Sequence, residues 1–241
     1  MMIQLGHVCE LVRYPVKSMA GTATESAYLG WHGLDGDRRF AFRRLGENNG
    51  FPWLSASRVP ELLLYHPFGL DESTGEPLPT HVRTPAGTDI ELRSTELQSE
   101  IAERLGSHVE LMNLKHGIFD EGSVSVISLT TIGDISREAG VDLDIRRFRA
   151  NIVLETHDIE PFLEDRWVGG RLVFGDSEPR PALMITQRDV RCMMINLDPD
   201  TAKQDARVLK TAVRLNQNNA GVYGTVVQTG GIRVGQTVCL E

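Results

Sequence analysis

The chain holds three cysteines, Cys9, Cys192 and Cys239, and of these Cys192 alone has a basic neighbour. It lies in DVRCMMINLDPDT, residues 189–201, where an apolar strand runs into Arg191-Cys192 and Asp198-Pro199-Asp200 forms a turn. A guanidinium beside a thiol favours the thiolate, which is both a nucleophile and a soft metal ligand. The competing reading is a structural cysteine, since lone thiols are among the most buried side chains. Cys9 in mid-strand and Cys239 in the closing strand read as core, as do Met193 and Met194.

Three other stretches could handle an anion. DIRRFRANIV, residues 144–153, packs Arg146, Arg147 and Arg149 ahead of a strand. Such a cluster seats a phosphate or carboxylate, or else forms a solvated charge run. RYPVKSM, residues 13–19, ends a strand at Pro15 and sets Lys17 and Ser18 just beyond it. GWHGLDGDRR, residues 30–39, is glycine-spaced but lacks Gly-x-Gly-x-x-Gly and a following helix. It therefore fails as a dinucleotide or phosphate loop and reads as a turn feeding a strand.

The bulk composition limits what these residues can serve. With 25 Lys plus Arg against 33 Asp plus Glu, the formal charge is −8. An acidic chain argues against nucleic-acid or anionic-membrane binding, while leaving room for one basic pocket. Hydrophobic residues at 41% and charged residues at 24% are ordinary for a globular protein. No apolar run is long enough for a membrane span, and no secretory signal opens the chain, so a cytoplasmic protein is expected. Three widely spaced cysteines fit no disulfide framework, zinc site or iron–sulfur cluster. Nothing reads as a nicotinamide or flavin site, and pyridoxal phosphate binding is not expected.

Short alternating segments must position these residues. Strands are expected at His7 to Tyr14, Glu25 to Leu29, Arg39 to Arg44, Asn151 to Glu155, Arg171 to Phe174, Ala182 to Thr186, Gly221 to Gln228 and Ile232 to Leu240. A hairpin is expected over His81 to Arg93, and a second around Thr229-Gly230-Gly231. One helix spans Thr95 to Leu105, with Thr95 and Gln98 as a capping box and Gly106 as the stop. Another runs from about Thr130 to Ala139, capped by Ser128 and stopped by Gly140. Leu70 to Thr80 reads as a surface loop. The fold class is mainly β and barrel-like, with a few short helices.

Taken together, YPVKS (14–18), GLDGDRRFAF (33–42), RFRANIV (147–153) and RCMMINLDPDT (191–201) resemble the ordered motifs of MOSC-domain proteins. The ending GGIRVGQTVCL is also similar to that family's closing hairpin. The resemblance is to the branch with an N-terminal MOSC-associated β-barrel domain, which includes the mitochondrial amidoxime-reducing component and its bacterial relatives. It implies an N-terminal domain over 1–118 and a MOSC domain over 119–241, meeting near Lys115 to Glu121 with the site between two lobes. It further implies a molybdenum cofactor (molybdopterin), with Cys192 as thiolate ligand to the metal. Lys17, Ser18 and Arg38 would hold the cofactor's phosphate and pterin. Arg149 and Asn151 match the family's RFRxN motif, and Arg191 and Tyr223 complete the pocket.

The activity implied is reduction of small N-hydroxylated compounds, with electrons from a separate cytochrome- or ferredoxin-type protein. The alternative is a carrier that moves sulfur as a Cys192 persulfide, or moves the cofactor itself. Two departures stand out. Val190 replaces a frequent serine and so removes a hydrogen bond to the pterin. Ala150 replaces a usual proline and alters loop stiffness.

Overall fold

Leu5, Val8 and Leu11 are buried although they lie three apart, a spacing that strict strand alternation forbids. Register shifts in their strand, one of them between Val8 and Glu10, reset the alternation so that all three point inward. A Cβ on Gly6 of the same strand would stand 2.0 Å from the carbonyl oxygen of Glu155, so only glycine permits that pairing. This first strand shapes the architecture.

The computed structural model describes residues 2–46, 51–117, 122–176 and 179–241. In chain order the first strands are β1 (Ile3–Arg13), β2 (Thr22–Ala23), β3 (Ser26–Gly30), β4 (Gly33–Leu34), β5 (Phe40–Arg44), β6 (His66–Phe68), β7 (His81–Arg83), β8 (Asp89–Glu91) and β9 (Val109–Asn113). They are followed by β10 (Val124–Ser128), β11 (Ile152–Thr156), β12 (Arg171–Phe174), β13 (Ala182–Val190), β14 (Asn219–Gln228), β15 (Gly230–Arg233) and β16 (Thr237–Leu240). The helices are α1 (Thr95–Leu105), α2 (Leu129–Ala139) and α3 (Arg207–Asn216).

Seven strands close into a barrel in the order β11-β10-β14-β13-β12-β16-β1, with β1 pairing back onto β11. The mainly β class expected from the sequence is what the chain adopts. The barrel takes its seventh strand from the front of the chain, and Ala27, Leu29 and Leu34 of β3 and β4 enter the same core. The other lobe holds the β5–β9 pair, the β6-β7-β8 sheet and α1 around a core of its own, which includes Phe40, Phe42, Tyr65 and Leu97. Helices α2 and α3 pack together over a third cluster on the barrel, with Ile127, Phe148 and Val153. The limits 1–118 and 119–241 remain a proposal, because their boundary lies outside the described residues. No helix among the described residues is long and apolar enough to cross a membrane.

Three local expectations need correction, and one element was missed. Gly230 and Gly231 do not turn β14 into a hairpin. Both edges of β14 are already taken by β10 and β13, so β15 leaves to pair with β3. The cap of α1 is Ser94, one residue earlier than expected, with its side chain accepting from Leu97 N–H. Met193 and Met194 form a 3-10 turn, Met193–Asn196, rather than a strand, and pack against the second lobe's core. Helix α3 was not anticipated. It starts after Ala206, which provides no side-chain cap, and stops at Gln217 in a left-handed conformation where glycine is the usual stop.

The start of α2 is secured from outside. Ser128 caps it, accepting from Thr131 N–H, and Gly140 ends it with φ of 63°. Glu164, fully buried, accepts from Ser128 N–H at 2.9 Å and from the Thr131 hydroxyl at 2.8 Å. Burial outweighs these hydrogen bonds and pushes the Glu164 carboxyl up. A carboxyl raised in the fold contributes stability in full below its unfolded value of about 4.3, and loses it as pH rises through the folded value. Urea titrations should therefore show Glu164→Gln gaining on the wild type as pH increases. A difference that stays constant with pH would refute this assignment.

Candidate functional site

Pro15 cannot continue the ladder of β1, and the chain turns to lie beside the entrance of β5. Arg38 N–H donates to Tyr14 O at 2.7 Å, Phe40 N–H to Pro15 O at 3.0 Å, and Lys17 N–H to Phe40 O at 2.8 Å. Two motifs some twenty residues apart thus become neighbours. Lys17 and Ser18 are both buried, and the Lys17 ammonium sits 5.1 Å from the centre of the Phe51 ring.

Arg38 is held on three sides: by the Asp37 carboxylate, by Asn151 Oδ1 at 3.0 Å and by the Arg149 carbonyl at 3.2 Å. Asp37 in turn accepts from Tyr14 N–H at 2.7 Å. The guanidiniums of Arg149 and Arg38 lie 4.3 Å and 5.5 Å from the centre of the buried Tyr14 ring. Burial pushes the Tyr14 phenol up to about 12, so both cations stack on a neutral ring. Arg149 also donates from Nη1 to Met19 O at 2.8 Å, across the lobes. Ser18, Arg38 and Arg149 all have left-handed backbones, with φ of 66°, 47° and 51°. Each such residue other than glycine costs about 1–2 kcal/mol.

Asn151 uses its whole carboxamide. Oδ1 accepts from Ser125 N–H at 3.1 Å as well as from Arg38, and Nδ2 donates to Val12 O at 3.2 Å. It stands behind the wall rather than in it. Arg191 donates to Ala220 O at 2.7 Å and Phe148 O at 2.6 Å. Its Nη2 lies 2.8 Å from Asp189 Oδ2 but out of line for a hydrogen bond, so that buried N–H has no acceptor. Cys192 is exposed, and its thiol is not spent on capping the turn that follows.

These side chains converge on a cavity of about 280 Å³. Lys17, Ser18, Arg38, Arg149, Arg191, Cys192 and Tyr223 all line it. Of the predicted residues, Asn151 alone acts from behind. The wall carries five cations, Arg147 being the fifth, against one carboxylate, Asp189. Even with Asp37 and Asp198 behind it counted in, the site is positive within an acidic chain, as an anionic ligand requires. Burial raises the Asp189 carboxyl, although Arg191, Ser125, Arg38 and Tyr223 pull it down.

Asp189 and Phe51 were not anticipated. Asp189 was legible, because positions 189 and 191 share a face if the strand continues, which sets a carboxylate beside an arginine. Phe51 carries no such signal; Arg44 brings it to the rim by donating to its carbonyl. Val190 is also on the rim, 60% exposed, and Ala150 is buried.

Among the described residues no group of three or more His, Cys, Asp or Glu could hold a metal. A metal at Cys192 would take its remaining ligands from a cofactor. An exposed thiol, an arginine N–H without an acceptor and a cationic wall fit a sulfur- and phosphate-bearing group such as a molybdenum pterin.

The chain is thus a closed seven-stranded β-barrel protein with one thiol at the rim of a cationic cavity. The MOSC domain family model matches residues 113–239, and the chain belongs to that family, whose members are associated with the molybdenum cofactor. It is 29% identical over 128 residues to mitochondrial amidoxime-reducing component 1 of Danio rerio, a match covering 49% of this chain and 37% of that relative. In fold it is similar to the YuaD protein of Bacillus subtilis, with a TM-score of 0.52 and 14% identity over 100% of this chain and 96% of that one.

Replacing Asn151 by alanine strands Ser125 N–H and Val12 O and loosens Arg38. Buried groups left without partners cost about 1–3 kcal/mol each, so Asn151→Ala should lose roughly 3 kcal/mol in urea unfolding. A loss below about 1 kcal/mol, the worth of one ordinary hydrogen bond, would show that the carboxamide is dispensable.

Proposed function

We propose that this MOSC-family protein binds a molybdenum cofactor and reduces small N-hydroxylated compounds, drawing electrons from a separate donor protein. The observation that supports this most is the convergence of Lys17, Ser18, Arg38, Arg149, Arg191 and Cys192 on one cavity. Similarity to an amidoxime-reducing component supports the choice of substrate class.

In this reading the Cys192 thiolate holds the metal. Lys17, Ser18 and Arg38 receive phosphate and pterin oxygens, Arg149 adds a further charge-assisted contact, and Tyr223 borders the ligand. Asn151 and Asp37 keep Arg38 in place. The bound cofactor supplies the two-electron redox chemistry. The chain itself orients the ligand and withdraws it from bulk water. Since the three left-handed residues are already set, little reorganisation accompanies binding.

The exposed Cys192 thiol also suits a persulfide, which is the observation favouring a sulfur or cofactor carrier. Turnover separates the two readings. Cofactor-loaded protein given dithionite should convert a hydroxylamine or amidoxime to the amine or amidine. Cys192→Ser should lose both bound molybdenum and activity, while Cys9→Ala and Cys239→Ala keep both. Stoichiometric cofactor without N–OH reduction by any donor would favour the carrier. Undiminished activity and molybdenum in Cys192→Ser would remove the basis of both readings.

A further inference from the structure

Asp189 is the one carboxylate among the described residues lining the cavity, and it is 1% exposed. Four elements bring groups against it. Ser125 of β10 donates its hydroxyl to Oδ2 at 2.8 Å, and Arg191, just past the end of β13, sets Nη2 2.8 Å from the same oxygen. Tyr223 of β14 hydrogen-bonds it through its side chain, and Arg38, ahead of β5, adds positive charge. Tyr223 is half-buried and lines the cavity, so one phenol borders both the buried carboxyl and the ligand space.

We propose that Tyr223 donates the proton to the oxygen leaving an N–OH substrate, and that Asp189 acts through it as a positioning residue that aims and resupplies that proton. This rests on the reductase reading. Reduction of an N–OH bond consumes two electrons and two protons: the N–O bond breaks, nitrogen gains an N–H, and oxygen leaves as water. The electrons come from the external reductant, dithionite or a donor protein. Nitrogen takes its proton from solvent, and oxygen takes one from the Tyr223 phenol. The phenolate is reprotonated by the Asp189 carboxyl, which recovers its proton through the same phenol from water entering after product leaves.

The direction of one hydrogen bond decides whether this works. An ionised Asp189 accepts the phenol's hydrogen and turns it away from the ligand. A protonated Asp189 donates to the phenol oxygen, and the phenol's hydrogen then faces the cavity. Burial pushes the Asp189 carboxyl up against the pull of Arg191, Ser125, Arg38 and Tyr223, which widens the pH range of the protonated form.

General acids contribute typically about 10²–10⁴-fold. Tyr223→Phe and Asp189→Asn, loaded with cofactor and supplied with dithionite, should each lower kcat by roughly 100-fold with KM unchanged. Wild-type kcat should fall as pH rises through the ionisation of Asp189, and Asp189→Asn should lack that fall. A second readout needs no turnover. Infrared spectra of the cofactor-free protein should show a protonated-carboxyl band that persists to higher pH than those of exposed aspartates, is absent from Asp189→Asn and is shifted in Tyr223→Phe. Should Asp189→Asn fail to fold, Tyr223→Phe still reports on both rate and band. Wild-type rate and pH profile in Tyr223→Phe, or a carboxyl band indifferent to it, overturns the donor role alone. A loaded wild type that reduces no N–OH compound, with the band behaving as expected, sinks the reductase reading and the donor role with it.

Discussion

The site depends on one buried carboxamide. Asn151 sits where β1, β10 and the entrance to β11 meet, and it bonds to a residue of each neighbour as well as to a guanidinium from the other lobe. Barrel closure and the placing of Arg38 are therefore the same event. Val12 cannot be fixed to Asn151 without bringing the residues that follow it, Tyr14 to Ser18, to the cavity. A carboxamide suits this post because it both accepts and donates without charge. A carboxylate there would have no hydrogen to give Val12 O, and an aliphatic residue could satisfy none of the groups.

The second problem the fold solves is repulsion. Arg38 and Arg149 approach the same tyrosine, and Arg191 is close behind. Their charges are moderated by Asp37, by the π-face of Tyr14 and by backbone carbonyls of Met19, Phe148, Arg149 and Ala220. Carbonyls can steady a guanidinium without cancelling it, so the cavity remains positive while its walls hold still. The chain can therefore carry a net charge of −8 and still present a positive cavity.

Much of this was legible in the residues, for identifiable reasons. Proline and lysine in RYPVKSM, and the arginines of DGDRR and RFRAN, are chemically loud at short range, and the barrel strands carry dense apolar cores. What stayed hidden depended on partners far along the chain. The Thr229-Gly230-Gly231 turn looked like a hairpin because sequence does not reveal that both edges of β14 are occupied. Helix α3 escaped because Ala206 caps nothing and Gln217 rather than glycine ends it. The bulge near Cys9 disguised the inward face of β1, since its buried residues fall out of alternation. Phe51 reaches the rim through a backbone contact, which leaves no trace in residue type.

The left-handed backbone at Ser18, Arg38 and Arg149 has a consequence for how this protein would respond to selection. Glycine adopts that conformation without penalty, so glycine at these positions would relax the chain by removing a side chain. At Arg38 and Arg149 that relief is opposed by the partners glycine would strand, the buried Asp37 carboxylate and the Met19 carbonyl. A drifting lineage released from its ligand would therefore be expected to change early at Ser18, while the two arginines stay anchored by the fold itself.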